Sequence, residues 1–173
     1  MAKHAMKIVQ EVTEFFNPGQ IPVIAGDCPI FSTCKYVQWK YPDTHGEDKM
    51  VMMLGGLHLE KALWTALGNL LDGSGWVESL IESGIATSGT AQSFLKASHI
   101  TRTSYAHQVT ALTLGKIQCD AFETTIKYEN WESFEQWRLA IIRKCPTFQF
   151  WDLIRRIEVF TLIFVRAHRE KIP

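Results

Sequence analysis

Two short apolar segments, each followed by a helical pattern, constrain the fold more than any other feature of this sequence. The first is IPVIAG, residues 21–26, and the second is MVMMLGG, residues 50–56. Apolar runs of this length, bounded by turn residues, are typical of strands that are buried on both faces. Because a helical pattern separates the two strands, we expect them to pair in parallel through a right-handed crossover.

Helical patterns surround both strands. Residues 2–16 and 57–71 carry apolar side chains at helical spacing. Between the strands, Pro29 suits the first turn of a helix, and Asp27 is a good N-cap for it. The residues of this middle helix that are expected to face inward are Ile30, Phe31, Cys34 and Val37.

After residue 71 the pattern becomes helical throughout. The expected helices cover residues 76–84, 91–98, 103–127, 132–143 and 148–169. A strand at 159–165 is the alternative for the most apolar part of the last helix. The expected buried stripe of the long helix consists of Tyr105, Val109, Leu112, Leu114, Ile117 and Phe122.

These patterns predict a single domain or domain fragment over residues 1–173. Its class is α/β and mostly helical, with an α/β part at 1–71 and an all-helical part at 72–173. The two short parallel strands have flanking helices, and the all-helical part follows them. A chain of this length buries about 70% of its unfolded surface, so it needs no disulfides to fold.

Charge and cysteine usage narrow the class of protein. The 18 basic residues equal the 18 acidic ones, which argues against a dedicated nucleic-acid-binding module. The four cysteines form no C-x-x-C pair, and the first ten residues lack the apolar stretch of a signal peptide. We therefore expect reduced thiols in an intracellular protein, with the nucleus as one location. The apolar run at 159–165 is too short to span a bilayer, so no membrane partner is expected.

The carboxyl ends of parallel strands lie at one edge of a sheet, where open α/β folds form functional crevices. This edge would bring together Asp27, which follows the first strand, and His58, which follows the second. Asp27 has two compatible interpretations, a metal-binding acid and the N-cap of the next helix. Phosphoryl transfer with two metal ions uses several carboxylates, and one carboxylate cannot do this.

The other candidates are expected to form a polar network that ties the helical part to the α/β part. With His58 they are Glu60, His99, Arg102 and His107. His58 and Glu60 are two residues apart, a poor spacing for one metal on a helix. The histidines at 99 and 107 lack a zinc spacing as well. Arg102 suits a phosphate or a carboxylate, with Glu60 as one candidate.

Cysteine chemistry and nucleic-acid binding are the weaker possibilities. A nucleophile at Cys28 would need a base, and His58 is the one that the sequence offers. A group of basic residues is interleaved with acids, which favours a solvated face over a nucleic-acid groove. This group consists of Arg138, Arg143, Lys144, Arg155, Arg156, Arg166, Arg169 and Lys171.

Six stretches cover most of residues 5–170. They are NPGQIPVIAGDCPIF, VQWKYPDTHGEDKMVMMLGGLHLE, LLDGSGWVESLIESGIA, SGTAQSFLKASHITRT, AHQVTALTL and FVRAHRE. Together they resemble an uncharacterised family that is found in many animal genomes, often beside mobile-element sequence. The family looks transposon-derived. Its strand–Asp–helix, strand–His–helix core is similar to the middle of a ribonuclease-H-like transposase domain.

The resemblance implies roles for two residues. Asp27 matches the metal-binding acid of such a domain, and His58 matches a histidine that begins the helix after the next strand. The chain departs from the family at Cys28, where glutamine is common, and at Ser104, where a basic residue is frequent. The first acid of such a site belongs before residue 1 and the glutamate beyond residue 173. The chain therefore resembles a fragment or a decayed copy.

These observations together predict a transposon-derived, catalytically incomplete ribonuclease-H-like transposase fragment. No cofactor is expected for this form, and nucleic acid is a partner only by resemblance. One alternative is a domesticated interaction module that binds a protein through its helical half. Another is a metal-dependent nuclease that uses Mg²⁺ and is completed by segments outside this chain.

Overall fold

The computed structural model describes residues 1–170, which fold into helices and two strands. The chain forms two compact units, Met1–Leu59 and Glu60–Pro173. The boundary falls inside a helix, whereas the sequence pattern changes character only after residue 71.

The first unit contains the strands. Its elements are α1 (Ala2–Phe16), β1 (Val23–Gly26), α2 (Cys28–Lys40), α3 (Pro42–His45), β2 (Val51–Leu54) and the first turn of α4 (Gly56–Leu71). The two strands pair in parallel, in a register that runs from Val23 opposite Val51 to Gly26 opposite Leu54. The predicted parallel pair is therefore confirmed. Its buried core consists of Met6, Cys34, Val37, Met50 and Met52.

The prediction that both faces of the strands are buried was wrong. Met52 is 6% exposed and packs in the core, but its neighbour Met53 is 50% exposed and Val23 is 60% exposed. Side chains alternate between the two faces of a strand, and α2 packs against both strands. One apolar face of the sheet is consequently left open to solvent.

The helices of the first unit also differ from the expected burial. Cys34 and Val37 of α2 are buried as predicted, but Ile30 is 53% exposed. Met6 is the buried residue of α1, while its apolar residues Val12, Phe15 and Phe16 are exposed. Periodicity identified both helices correctly, but it identified the buried face of α2 only in part and missed the buried residue of α1.

The second unit is helical throughout the described part of the chain. After the remainder of α4 it contains α5 (Trp76–Glu82), α6 (Ser88–Phe94), α7 (Ile100–Thr125), α8 (Phe134–Lys144) and α9 (Pro146–Arg169). Residues 159–165 lie within α9, so the alternative strand does not form. Among residues 1–170, none of the helices combines the length and apolar character that crossing a bilayer requires.

The core of the second unit includes Trp64 and Leu67 of α4, Trp76 of α5 and Ile154 of α9. Gly68 permits a close approach between α4 and the backbone of Leu95 in this core. A Cβ atom at Gly68 would overlap the carbonyl oxygen of Leu95, so α4 can pack here only without a side chain.

Helix α7 buries a polar face, and half of its predicted apolar stripe was wrong, because three of the six residues are exposed and the other three are partly buried. Leu112 is 75% exposed and Ile117 is 58% exposed, whereas Thr103 and His107 have no exposed surface. The buried polar groups are accommodated by hydrogen bonds. Thr110, for example, accepts from Trp76 Nε1 at 2.8 Å and donates to the carbonyl of Ala106.

Candidate functional site

The residues predicted for the rim of the sheet follow the carboxyl ends of the two strands. Asp27 comes directly after β1, and His58 lies in the first turn of α4, four residues after Leu54 at the end of β2. The strand ends are joined by a hydrogen bond of 2.8 Å from the Gly55 N–H to the Gly26 carbonyl. The order of strands and helices along the sequence therefore places Asp27 and His58 at this rim.

Asp27 acts as the N-cap of α2. Its backbone is extended, and its Oδ1 atom accepts a hydrogen bond of 3.0 Å from the Ile30 N–H. Pro29 occupies the first turn of the same helix. A carboxylate in this position satisfies one of the free amide donors at the start of the helix. The side chain is exposed, so its second oxygen stays accessible to solvent.

Next to Asp27 at this rim lies a thiol–imidazole contact. Cys28 Sγ lies 3.8 Å from His58 Nδ1, a long and weak hydrogen bond. Cysteine nucleophiles in enzymes also need a third group that orients the base. Within the described residues the imidazole of His58 makes no other side-chain hydrogen bond. This geometry brings the two residues into contact but does not complete a catalytic constellation.

A preformed metal site is not seen among residues 1–170. No three His, Cys, Asp or Glu side chains in this part of the chain are grouped closely enough to hold an ion. Asp27 contributes one carboxylate, and a pair of metal ions needs several.

Glu60 and Arg102 lie in different environments. Glu60 is buried, accepts from Trp64 Nε1 at 3.3 Å, and binds Arg169 Nη2 through both carboxylate oxygens at 2.8 and 3.0 Å. Arg102 is exposed and lines an open cavity of about 500 Å³. His99 is also exposed, at the N-cap position of α7, and its side chain makes no capping bond.

His107 is the predicted residue that the structure places in the most unusual environment. Its ring is stacked between two indoles, with centroids 4.6 Å from Trp64 and 4.9 Å from Trp76. The planes are nearly parallel, at 11° and 20°. His107 Nδ1 lies 3.0 Å from Glu158 Oε1, and neither side chain has any exposed surface. This pair connects α7 to α9.

Burial controls the protonation of this pair. It lowers the pKa of His107 from 6.5 to about 3 and raises the pKa of Glu158 from 4.5 to about 8. In the neutral range the pair is therefore uncharged, with the carboxyl group of Glu158 protonated and the imidazole of His107 neutral. Two further atoms, His107 Nε2 and Glu158 Oε2, are buried without a hydrogen-bond partner in the described structure.

The sequence offered little sign of Glu158 as the partner of His107. The two residues are 51 positions apart, and Glu158 stands in an apolar stretch of α9. A lone carboxylate within such a stretch is a signal that the residue is buried beside a hydrogen-bonding partner, because an unpaired buried charge is strongly unfavourable. That signal indicates burial but does not identify the partner.

A second buried ionic cluster connects α7, α8 and α9. Asp152 accepts from Arg138 Nη1 at 2.5 Å and from Gln118 Nε2 at 3.2 Å. Arg138 also binds both oxygens of Glu135, at 2.8 and 2.6 Å. Arg138 is only 8% exposed, so the prediction that its basic group forms a solvated face was wrong for this residue. Lys171, another member of that group, lies outside the described residues.

The two buried clusters are suited to holding helices in register. Buried polar groups that are mutually bonded restrict which helix faces can pack together. His107 and Glu158 have no exposed surface, so solvent and solutes do not reach them in this conformation. The Asp27–His58 rim is therefore more accessible than either buried cluster.

The fold and the rim define a mostly helical α/β protein in which two parallel strands present an aspartate and a histidine after their carboxyl ends. The chain belongs to the family described as a domain of unknown function (DUF8702), whose model matches residues 4–170. No curated protein and no solved structure matches the chain significantly.

Proposed function

We propose that this chain is a transposon-derived, ribonuclease-H-like transposase fragment that does not cleave nucleic acid by itself. The observation that carries the proposal is the parallel pairing of β1 and β2, with Asp27 after one strand and His58 after the other. This order of elements is the one that the sequence resemblance implies. An intracellular location, with the nucleus as one compartment, and nucleic acid as a partner belong to the same proposal.

The open face of the sheet supports the incomplete character of this core. Parallel sheets in α/β proteins are normally covered on both faces, and a two-stranded sheet is marginal by itself. Here Val23, Val51 and Met53 are 60%, 42% and 50% exposed on the same face. Additional strands and a covering helix would bury this face in a complete ribonuclease-H-like domain.

A metal-dependent nuclease completed by segments outside this chain is the second candidate. It is favoured by the accessible oxygen of Asp27 at the carboxyl end of β1. Mg²⁺ would be its cofactor, because hard divalent cations prefer carboxylate oxygens. In that form Asp27 would be one of several metal ligands, and the others would come from the added segments.

Two substitutions at Asp27 distinguish metal binding from helix capping. Asn at this position keeps an N-cap but removes the carboxylate, whereas Ala removes both. The purified wild type, Asp27→Asn and Asp27→Ala are titrated with Mn²⁺ as a spectroscopic substitute for Mg²⁺. Each protein is also incubated with a DNA duplex and either metal. The substitution Asp43→Asn, at an exposed carboxylate in α3, is the matched control.

The proposal expects no DNA cleavage by any of the four proteins, and equal Mn²⁺ binding by the wild type and Asp27→Asn. Asp27→Ala alone is expected to lose stability, by about 1 kcal/mol. Saturable Mn²⁺ binding that Asp27→Asn abolishes and Asp43→Asn preserves would contradict it. Metal-dependent cleavage lost with the same substitution would establish the nuclease instead.

A further inference from the structure

Helices α7 and α9 form a long groove on the second unit. Their contacts pair His107 with Glu158 and Gln118 with Asp152, so the two helices run in opposite directions. The groove has a volume of about 790 Å³ and is lined by residues between 104 and 119 on α7, by residues between 155 and 169 on α9, and by Glu170 directly after α9. We call this feature the α7/α9 groove.

The shape of the α7/α9 groove matches a helix. On α7 the lining residues include Gln108, Ala111, Leu112 and Gly115, which is helical spacing along one face. On α9 they include Val159, Leu162, Ile163 and Arg166 with the same spacing. Each stripe extends over some 15 residues, or about 22 Å of helix length. An occupant of about four turns would cover both stripes.

The middle of this groove is apolar and uncovered. Leu112 is 75% exposed, Ile163 is 62% exposed and Val159 is 37% exposed. Apolar side chains that recur on facing helices are typical of a surface that receives the apolar face of another helix. The unusual orientation of α7, which buries its polar side, is what turns Leu112 toward solvent.

The charges of the groove favour an acidic occupant. Its basic lining residues are Lys116, Arg155, Arg166 and Arg169, and its acidic lining residue is Glu170. Three of the four cations already have carboxylate partners: Lys116 binds Asp120, Arg166 binds Glu170, and Arg169 binds Glu60. Arg155 is the exception.

Arg155 is held in the groove without an acceptor. Its Nε atom is buried and has no hydrogen-bond partner within residues 1–170. The guanidinium group lies over Gly115, where a Cβ atom would stand 3.2 Å from Nε. The missing side chain at Gly115 thus gives Arg155 its position. A guanidinium in this setting is suited to a carboxylate, which it can bind through two parallel hydrogen bonds.

We infer that the α7/α9 groove binds an amphipathic helix of a partner protein, which packs its apolar stripe between the two helices and places a carboxylate against Arg155. A second copy packed groove to groove would offer Glu170 as its acidic lining residue, and that carboxylate is already bound to Arg166, so it does not supply the acceptor that Arg155 lacks. A nucleic-acid backbone is disfavoured by the apolar floor and by the three cations that are already neutralised. This inference is independent of the proposed ancestry of the fold.

A pair of designed peptides tests the inference. The acidic peptide is a fluorescein-labelled helix of about 16 residues with leucines on one face and glutamates beside them. The basic peptide has lysine in place of every glutamate. Binding of each peptide to the purified chain is followed by fluorescence anisotropy. Size-exclusion chromatography with light scattering gives the oligomeric state of the chain alone.

The matched variants separate the groove from the rest of the surface. Arg155→Gln removes the free guanidinium, and Arg156→Gln removes the exposed arginine beside it, which does not line the groove. Leu112→Ser removes apolar surface at an exposed position, so it does not disturb the core. Circular dichroism of every variant checks that the helices are intact.

A cysteine in the groove reports the place of binding. Cys119 lines the α7/α9 groove and is exposed, whereas Cys28 is exposed in the other unit. An acidic peptide with a bromoacetyl group near one end is expected to alkylate Cys119 in preference to Cys28, as identified by mass spectrometry. The unlabelled acidic peptide should suppress this reaction by competition.

The inference expects the acidic peptide to bind saturably and the basic one at least about tenfold more weakly. Arg155→Gln and Leu112→Ser should each weaken acidic-peptide binding by about tenfold or more, and Arg156→Gln should leave it unchanged. It is overturned if the acidic peptide does not bind saturably, if both peptides bind equally, or if alkylation does not favour Cys119. A dimer of the chain that Leu112→Ser dissociates would overturn it in favour of self-association.

Discussion

Glu158 Oε1 lies 3.0 Å from His107 Nδ1, and both side chains are completely enclosed in the second unit. The indoles of Trp64 and Trp76 cover the two faces of the imidazole. Burial favours the uncharged form of each group, so the pair does not carry separate charges at neutral pH. The energetic consequence is a dependence of stability on pH that differs from that of surface carboxylates and histidines.

The contribution of this pair to the free energy of unfolding is expected to be constant between about pH 4.5 and 6.5 and to fall on either side. In this window the folded pair and the unfolded pair each bind one proton, because the unfolded pKa values are 4.5 for Glu158 and 6.5 for His107. Above pH 6.5 the unfolded pair loses its proton while the folded pair keeps it until about pH 8. Folding then binds a proton, and stability falls by up to about 2 kcal/mol between these values.

The same argument applies at acidic pH. Below pH 4.5 the unfolded pair binds two protons, whereas the folded pair accepts the second only near pH 3. Urea unfolding followed by tryptophan fluorescence measures both limbs, since Trp64 and Trp76 contact His107. Glu158→Gln should remove the decline between pH 6.5 and 8. An unchanged decline in that variant would place its origin elsewhere in the protein.

Removing the acid from the second buried cluster should be far more destabilising than removing a surface acid. Asp152→Ala leaves Arg138 buried beside an empty acceptor position, and we expect a loss of about 3–5 kcal/mol. The control is Asp120→Ala, which removes an exposed partner of Lys116 and should cost less than about 1 kcal/mol. Urea unfolding measures both. Similar losses for the two variants would mean that the Arg138–Asp152 bond is not formed in solution.

Two glycines in the second unit should respond oppositely to alanine. Gly68→Ala places a methyl group against the carbonyl of Leu95 and forces α4 away from it, so thermal stability should fall clearly. Gly89 lies in α6 with open space around it, and alanine there should leave stability unchanged or raise it by up to about 1 kcal/mol. Thermal unfolding monitored by circular dichroism compares them. A neutral Gly68→Ala would show that the two segments do not pack this closely.

Substitutions of the neighbouring residues Met52 and Met53 in β2 should show that one face of the sheet is buried and the other is exposed. Met53→Lys adds a charge to the open face, so it should change stability by less than about 0.5 kcal/mol and reduce any self-association. Met52→Lys introduces the charge into the core and should cost at least about 2–5 kcal/mol. Hydrogen exchange of the strand amides and light scattering measure these effects. Equal damage from both substitutions would mean that the second face is covered.

Apart from the short helix α3, the sequence alone determined the order and type of the elements in the first unit. The β-branched and apolar runs gave the two strands, Pro29 and Asp27 gave the start of α2, and the intervening helix required a parallel pair. These are short-range effects, because strand length, capping and crossover geometry depend on neighbouring residues. The position of Asp27 directly after β1 therefore follows from the sequence alone.

Tertiary packing decided what local periodicity cannot encode, namely which face of a helix is buried and which distant residue satisfies a buried group. In α7 the apolar residues Leu112 and Ile117 are left outside while Thr103 and His107 are enclosed. The burial of His107 is stabilised by its hydrogen bond to Glu158, which lies 51 residues away along the chain. A buried polar group needs its partner in three dimensions, and the partner exists only once α7 and α9 have packed.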